Sequence, residues 1–332
     1  MPDAALVIPE NAPYCIGLAP EMESLGLIFS GVFMGYEWLA LASASLWAVA
    51  ALISVKPSRH LGPFAYSRWR MFLVSLMLGS ISLLTGGWHT LSGSALPLLA
   101  LSGLIGIFIG DTALYACMNR LGPRRSGLLF SCHALFSALL GLWIFNEQLT
   151  GSRLTGALLV FAGVMLAILF GRRSSGSEWE RIRGSLTIGV ALGLTAALCQ
   201  SLGAIIAKPV MMSGNVDAVS ASGVRMVSAL LAHCALRLTG LPLTRAFRPI
   251  NRQIFGMIAI NGFLAMALGM TLILLALRHG DVGMVAILSS TTPVILLPLL
   301  WWHSGERPSA AAWCGTLLAT LGTVLVLGAS GH

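Results

Sequence analysis

The 332-residue chain is 56% hydrophobic and only 10% charged, with a mean hydropathy of +0.85, whereas a soluble domain carries about a quarter charged residues. A water-soluble fold cannot hide that much apolar surface, so a soluble globular protein is excluded. The formal net charge of +8 and pI near 9.7 invite a nucleic-acid reading, which the placement of the charges excludes.

Residues 1–36 hold no Lys or Arg and therefore lack the basic region of a secretory signal. They are read as an N-terminal extension, and a chain begun at Met34 is expected to insert normally. A helix needs roughly 20 apolar residues to cross about 30 Å of hydrocarbon. The first span is expected at 37–55, with Trp47 inside it, and the second at 63–86, with Tyr66 and Arg70. No Asp, Glu, Lys or Arg occurs from 71 to 110, a run long enough for two crossings, broken at Gly86-Gly87-Trp88-His89. Span three follows at 96–118 with Asp111 and Tyr115, span four at 126–145 with His133, and span five at 154–171. A basic loop, 172–184, separates these from spans at 185–207, 217–237, 253–277, 283–303 and 309–328. The seventh is the least regular, because Asp217 and Arg225 both fall within it. The runs are continuous rather than alternating, which excludes barrel strands. The loops are too short for a soluble domain.

The C-terminal part repeats the first. With a shift of 159 residues, Gly262 falls on Gly103, Gly269 on Gly110, Thr271 on Thr112, Leu288 on Leu129, Ser290 on Ser131 and Glu306 on Glu147. Gly315 and Gly322 likewise fall on Gly156 and Gly163, while Arg225 answers Arg70 with a shift of 155. The domain division expected is 37–171 and 185–328. Two like halves in an apolar chain point to a transporter with its site between them.

Basic residues crowd one side. Lys56, Arg59, Arg68 and Arg70 lie around the first loop, and Arg120, Arg124 and Arg125 around the third. Arg172, Arg173, Arg181 and Arg183 belong to the fifth, Arg237, Arg245, Arg248 and Arg252 to the seventh, and Arg307 to the ninth. Only Arg153, Lys208 and Arg278 fall in the even-numbered loops. This is the positive-inside pattern of a plasma (inner) membrane protein, and it places both termini outside the cytoplasm. The lipid bilayer accounts for the basicity; nucleic acid does not. Cys15, Cys117, Cys132, Cys199, Cys234 and Cys314 show no CxxC spacing and are read as small buried hydrophobes.

The string Asn146-Glu147-Gln148-Leu149-Thr150-Gly151-Ser152-Arg153, with Gly156 and Gly163 beyond it, resembles the signature that closes each half of the EamA branch of the drug/metabolite transporter superfamily. The second copy reads Ser304-Gly305-Glu306-Arg307-Pro308 with Gly315 and Gly322, and Trp47, Arg70 and Pro293 add to the likeness. The resemblance covers about residues 37–328. It implies an all-α polytopic membrane protein of ten transmembrane helices, arranged as two inverted five-helix repeats, that moves small organic metabolites or drugs, often outward. An odd number of crossings per half makes the inversion arithmetic. Two departures stand out. Ala134 occupies the place matched by Pro293, so span four lacks the proline that would break it. The termini, external by the charge pattern, are more often cytoplasmic in the family.

Candidate substrate or coupling residues follow from the cost of polar groups in hydrocarbon. His133 is read either as a substrate or proton-relay group, given an ordinary pKa near 6.5, or as a hydrogen-bonded packing histidine. Asp111 is read as a coupling-proton or cation site, or as the partner of an arginine. Arg70 and Arg225 are read as helix anchors or anion contacts. Trp47, Tyr66, Tyr115, Gln200, Asn261, Thr291 and Thr292 either line a cavity or hold helices together. Glu147 and Glu306 are expected to act at the positive end of the helix that follows each. The Gly103-x-x-Gly106-x-x-x-Gly110 spacing permits close helix approach.

A phosphate-binding loop needs Gly-Lys, and the only lysines, Lys56 and Lys208, follow Val55 and Ala207. Secondary transport, by proton coupling or facilitated diffusion, is therefore expected, with no cofactor and no metal. The alternative is an intramembrane enzyme acting on a lipid-like substrate, but HExxH, GxSxG and DxxxD motifs are absent from the sequence. The partners expected are a small-molecule substrate and the bilayer, with a homodimer left open.

Overall fold

The computed structural model describes residues 35–147, 151–170, 184–304 and 309–329, and these are helical, with no strand among them. Helix α1 spans Tyr36–Leu61 and α2 spans Pro63–Thr85. Helix α3 runs from Ala95 to Leu121 as one rod whose middle, Leu104–Ile109, is wound as a π-helix. Helix α4 consists of Pro123–Ser131 and His133–Phe145, and α5 is Gly151–Phe170. In the second half, α6 is Leu186–Met212, α7 Ala218–Leu238, and α8 runs from Arg252 to His279 with a π-helical middle, Gly262–Met270. Helix α9 consists of Val282–Ser289 and Thr292–Ser304, and α10 is Ala310–Ala329. Among the described residues seven stretches, in α1, α3, α4, α6, α7, α8 and α9, are long and apolar enough to cross a membrane.

Turn chemistry explains the tight connections in the first half. Gly62 (φ 81) ends α1 and Gly122 (φ 84) ends α3, in a backbone region that glycine alone enters cheaply. Each is followed by a proline in the first turn of the next helix, where its missing N–H costs nothing.

The structure revises three details of the span assignment. Asp217 is not inside α7 but caps it, its Oδ2 accepting from Ser220 N at 2.8 Å, so Arg225 is the charge that lies within the helix. Lys208 and Pro209 lie inside α6, not in a loop, since the helix continues to Met212. Finally, α4 is interrupted at Cys132 without a proline: Cys132 N donates to Leu129 O at 3.3 Å, closing a tight turn. In α9 the turn 159 residues on is made the same way, with Thr291 N donating to Leu288 O at 3.2 Å. A hydrogen bond to the third preceding carbonyl suffices to break the α-helix. Around the α9 break, the hydroxyls of Ser290, Thr291 and Thr292 each bond back to the carbonyl three residues earlier, at 2.7, 2.7 and 2.8 Å.

The π segments are duplicated too, Leu104–Ile109 in α3 matching positions within Gly262–Met270 in α8. A π turn frees carbonyls from the α-helical ladder, and in hydrocarbon each needs a donor. Helix α1 supplies them to α8: Trp47 Nε1 donates to Ala265 O and Ser43 Oγ to Gly269 O, both at 2.9 Å. Helix α6 meets α3 in the equivalent place, where Ser102 Oγ donates to Gly203 O at 2.6 Å and a Cβ on Gly203 would lie 2.9 Å from the Cα of Gly106. The halves thus interlock, α1 with α8, α2 with α7, α3 with α6, α4 with α9 and α5 with α10.

Helices α5 and α10 cross through the signature glycines. A side chain at Gly163 would run into the backbone of Gly315 and Ala319; one at Gly322 would lie 2.6 Å from Gly156 O, against Val160. Gly163 faces Gly315 while Gly156 faces Gly322, so the two helices are antiparallel. Small residues permit this approach, which gives van der Waals contact where no hydrophobic effect drives association.

Candidate functional site

Arg70, the eighth residue of α2, is 1% exposed and reaches groups on two other helices, α3 and α8. Its Nη2 forms an ion pair with Asp111 of α3, and its Nη1 donates to the hydroxyl of Tyr115 at 2.5 Å and to Asn261 Oδ1 of α8 at 3.4 Å. Tyr66, one turn before Arg70, donates to the same Asn261 Oδ1 at 2.8 Å. Asn261 Nδ2 in turn donates to Ala50 O of α1 at 2.7 Å. The rings of Tyr66 and Tyr115 meet edge to face at 4.7 Å, and the guanidinium carbon lies 4.7 Å from the centre of Tyr115 and 5.4 Å from that of Tyr66. Arg70 is thus paired with a carboxylate, hydrogen-bonded and placed against two aromatic faces, which offsets the cost of burying a cation.

Five of the sequence-derived candidates, Tyr66, Arg70, Asp111, Tyr115 and Asn261, therefore form one network linking the two halves. The Asp111 side chain remains 14% exposed, more open than its partner.

Arg225, the counterpart of Arg70, lies across from this network on α7. It is 2% exposed, its Nη2 lies beside Gly106 in the π segment of α3, and its Nε has no partner. No hydrogen bond or ion pair reaches its guanidinium among the described residues. Leaving a buried charge unpaired costs on the order of several kcal/mol.

The other candidates lie elsewhere. Trp47 is held to Ala265 O and joins α1 to α8. His133 is buried at the start of the second part of α4, its ring 5.1 Å from that of Phe130, and its carbonyl accepts from Ser201 Oγ of α6 at 2.9 Å. Gln200 is half-buried on α6. Thr291 and Thr292 bond within their own helix. Pro293 is the second residue of the stretch Thr292–Ser304, and Glu306 falls outside the described residues.

Glu147 caps a helix, but not the one that follows it. Its carboxylate crosses to the second half and accepts from Val282 N at 2.9 Å and Gly283 N at 3.1 Å, the first amides of α9, while pairing with Lys208 of α6. Chain geometry explains why. Asn146 (φ 54) ends α4 in a left-handed turn, and Gly141 leaves room for the carboxylate to fold back, since a Cβ there would lie 3.0 Å from Glu147 Cδ. Lys208 also lies 5.0 Å from the Phe145 ring centre.

Sequence reasoning missed Lys208 as a functional residue, and likewise His233, buried on α7 with Nε2 3.2 Å from Thr112 Oγ1 and its ring edge-on to Phe108 at 4.8 Å. Each stands in or beside an otherwise apolar run, the same signal that singled out His133. No group of His, Cys, Asp and Glu suited to a metal occurs among the described residues.

The chain matches the EamA-like transporter family twice, over residues 26–169 and 187–328. No curated protein matches it. A solved structure, described only as the crystal structure of a protein, shares the fold, with a TM-score of 0.67 and 18% identity over 87% of this chain and 95% of its own. Two family matches spanning nearly all of the helical residues, on a helical membrane fold with duplicated landmarks, establish that the chain belongs to the EamA-like transporter family.

Proposed function

We propose that the protein is a secondary transporter that moves a small organic solute across the plasma (inner) membrane through ten crossings arranged as two inverted halves. The observation that carries this reading is the reciprocal crossing of α5 and α10, in which Gly163 meets Gly315 and Gly322 meets Gly156. Two antiparallel membrane helices exchanged by a two-fold operation require the axis to lie in the membrane plane, as in transporters that alternate between two faces. The matched π segments and helix breaks support the same relation.

The Arg70 network is the substrate and coupling region in this reading. It joins α2 and α3 of one half to α8 of the other, so a shift of one half against the other alters it. Asp111 exchanges between its ion pair with Arg70 and a protonated state, giving proton-coupled export; a solute running down its own gradient would use the same path without that exchange. The basic loops face the cytoplasm and both termini lie outside.

Purified protein in sealed liposomes tests the proposal. The expected result is redistribution of a solute whose chemistry is unchanged. Chemical conversion of the solute without redistribution would instead establish the intramembrane enzyme.

A further inference from the structure

We infer that the transported solute carries a carboxylate or phosphate group, and that this anion docks on Arg225. The inference rests on the transport reading and adds the chemistry of what is carried.

The two repeats place a buried arginine at matching positions, but only one is provided with counter-groups. Arg70 has Asp111, Tyr115 and Asn261. At the positions that correspond for Arg225, the repeat offers Met270 instead of Asp111, Leu274 instead of Tyr115 and Ser102 instead of Asn261. Met270 and Leu274 are buried, and the Ser102 hydroxyl is committed to Gly203 O at 2.6 Å. At these matching positions no side chain therefore takes for Arg225 the part that Asp111 takes for Arg70.

Charge points the same way. Across α2, α3 and α7 the fully buried cations are Arg70 and Arg225, and Asp111, the acid on these helices, is already in contact with Arg70. One positive charge is left over in a region where unpaired charge is costly. Among the other acids, Glu147 is engaged with Lys208 and Asp217 with Ser220, while Glu37 lies in the first turn of α1 and Asp281 at the start of α9. Gly106 lets the guanidinium come close to α3, since a Cβ there would lie 3.4 Å from Nη2. A planar fork of N–H donors suits the two oxygens of a carboxylate or phosphate, which bind it in bidentate fashion.

The experiment uses the full chain in proteoliposomes loaded with a metabolite extract of the expressing cells, split by anion exchange into a retained, anionic fraction and an unretained, neutral and cationic one. Release is followed by mass spectrometry. The wild-type protein is expected to release members of the retained fraction at least about tenfold faster than Arg225→Leu, the loss set by a charge-assisted hydrogen-bond pair, with Arg225→Lys intermediate. Phosphatase treatment before loading separates the two sources: signal that disappears belongs to phosphate esters, and signal that survives belongs to carboxylates. Equal abundance and monodispersity of the variants exclude a folding defect, which removal of a buried charge is not expected to cause. Release confined to the unretained fraction, or anion release unchanged in Arg225→Leu, overturns the inference while leaving transport intact. Release of neither fraction overturns the transport reading and this inference with it.

Discussion

Lys208 and Glu147 form an ion pair between the two halves of the chain, and the same carboxylate holds the first amides of α9. The side chains are 6% and 7% exposed, so the pair works in a medium of low polarity where each charge needs the other. It ties the end of α4 and the C-terminal part of α6 to the start of α9.

Removing one partner should be worse than removing both. Glu147→Ala is expected to cost about 3–5 kcal/mol of stability, because Lys208 and two helix-terminal amides lose their acceptor. Glu147→Ala combined with Lys208→Met should cost less than the two single changes added together. Membrane abundance and thermal unfolding of the purified protein report this, and a Glu147→Ala protein as stable as the wild type would refute it.

The glycine crossing makes a symmetric prediction. Gly163→Val and Gly322→Val each force a side chain into the backbone of the opposite helix and are expected to destabilise by about 1–3 kcal/mol or more, to a similar degree. Gly127, beside which no atom lies within 4 Å of an added Cβ, is the control and should tolerate Ala. Unequal losses at 163 and 322 would argue against equivalent packing.

Asp111→Asn leaves Arg70 without its carboxylate. Stability should fall by about 3–5 kcal/mol, and any residual transport should no longer respond to an imposed proton gradient. Arg70→Gln together with Asp111→Asn should restore abundance without restoring transport. Gradient-driven transport by the Asp111→Asn protein would remove Asp111 from the coupling role.

Trp47 separates helix packing from solute contact. Trp47→Phe keeps the ring but loses the donor to Ala265 O, which is worth about 0.5–1.5 kcal/mol. Lower stability with unchanged solute preference is expected; a changed preference with unchanged stability would place the indole in the solute path.

Topology is checked by fusions after His332. Alkaline phosphatase should be active there and fluorescent protein dark, given the crowding of arginines in the odd loops. The opposite pattern would place both termini in the cytoplasm.

Most spans were legible because they lie in runs with few or no charges, and the duplication because glycines at close crossings cannot be replaced by larger residues. Lys208 was misplaced because a charge ending an apolar run looks like a loop residue, while its counter-ion lies 61 positions away in the chain. The break in α4 was hidden because it depends on a backbone turn at Cys132 and not on a residue type. Tyr66, Arg70, Asp111, Tyr115 and Asn261 were identifiable singly as polar groups in hydrocarbon. Their union was not, since it comes from packing α2, α3 and α8 together. The π segments left no trace, because a helix apolar on every side has no hydrophobic phase to read.

The π segment of α8 fixes the angular register of that helix. Residues on an α-helix advance by about 100° each, and a π turn absorbs one extra residue within the same rise. Asn261 precedes the segment and Thr271 follows it, and each meets a different neighbour: Asn261 the side chains of Arg70 and Tyr66, Thr271 the hydroxyl of Ser222 at 3.0 Å. Deleting one residue between Phe263 and Leu268 would rewind part of the segment as α-helix and leave its two ends in nearly the same register, because the π turn had absorbed that residue. Asn261 would keep Arg70 and Thr271 would keep Ser222, whereas the same deletion in an α-helical part of the rod would turn one end against the other by about 100° and break one of these links between the halves.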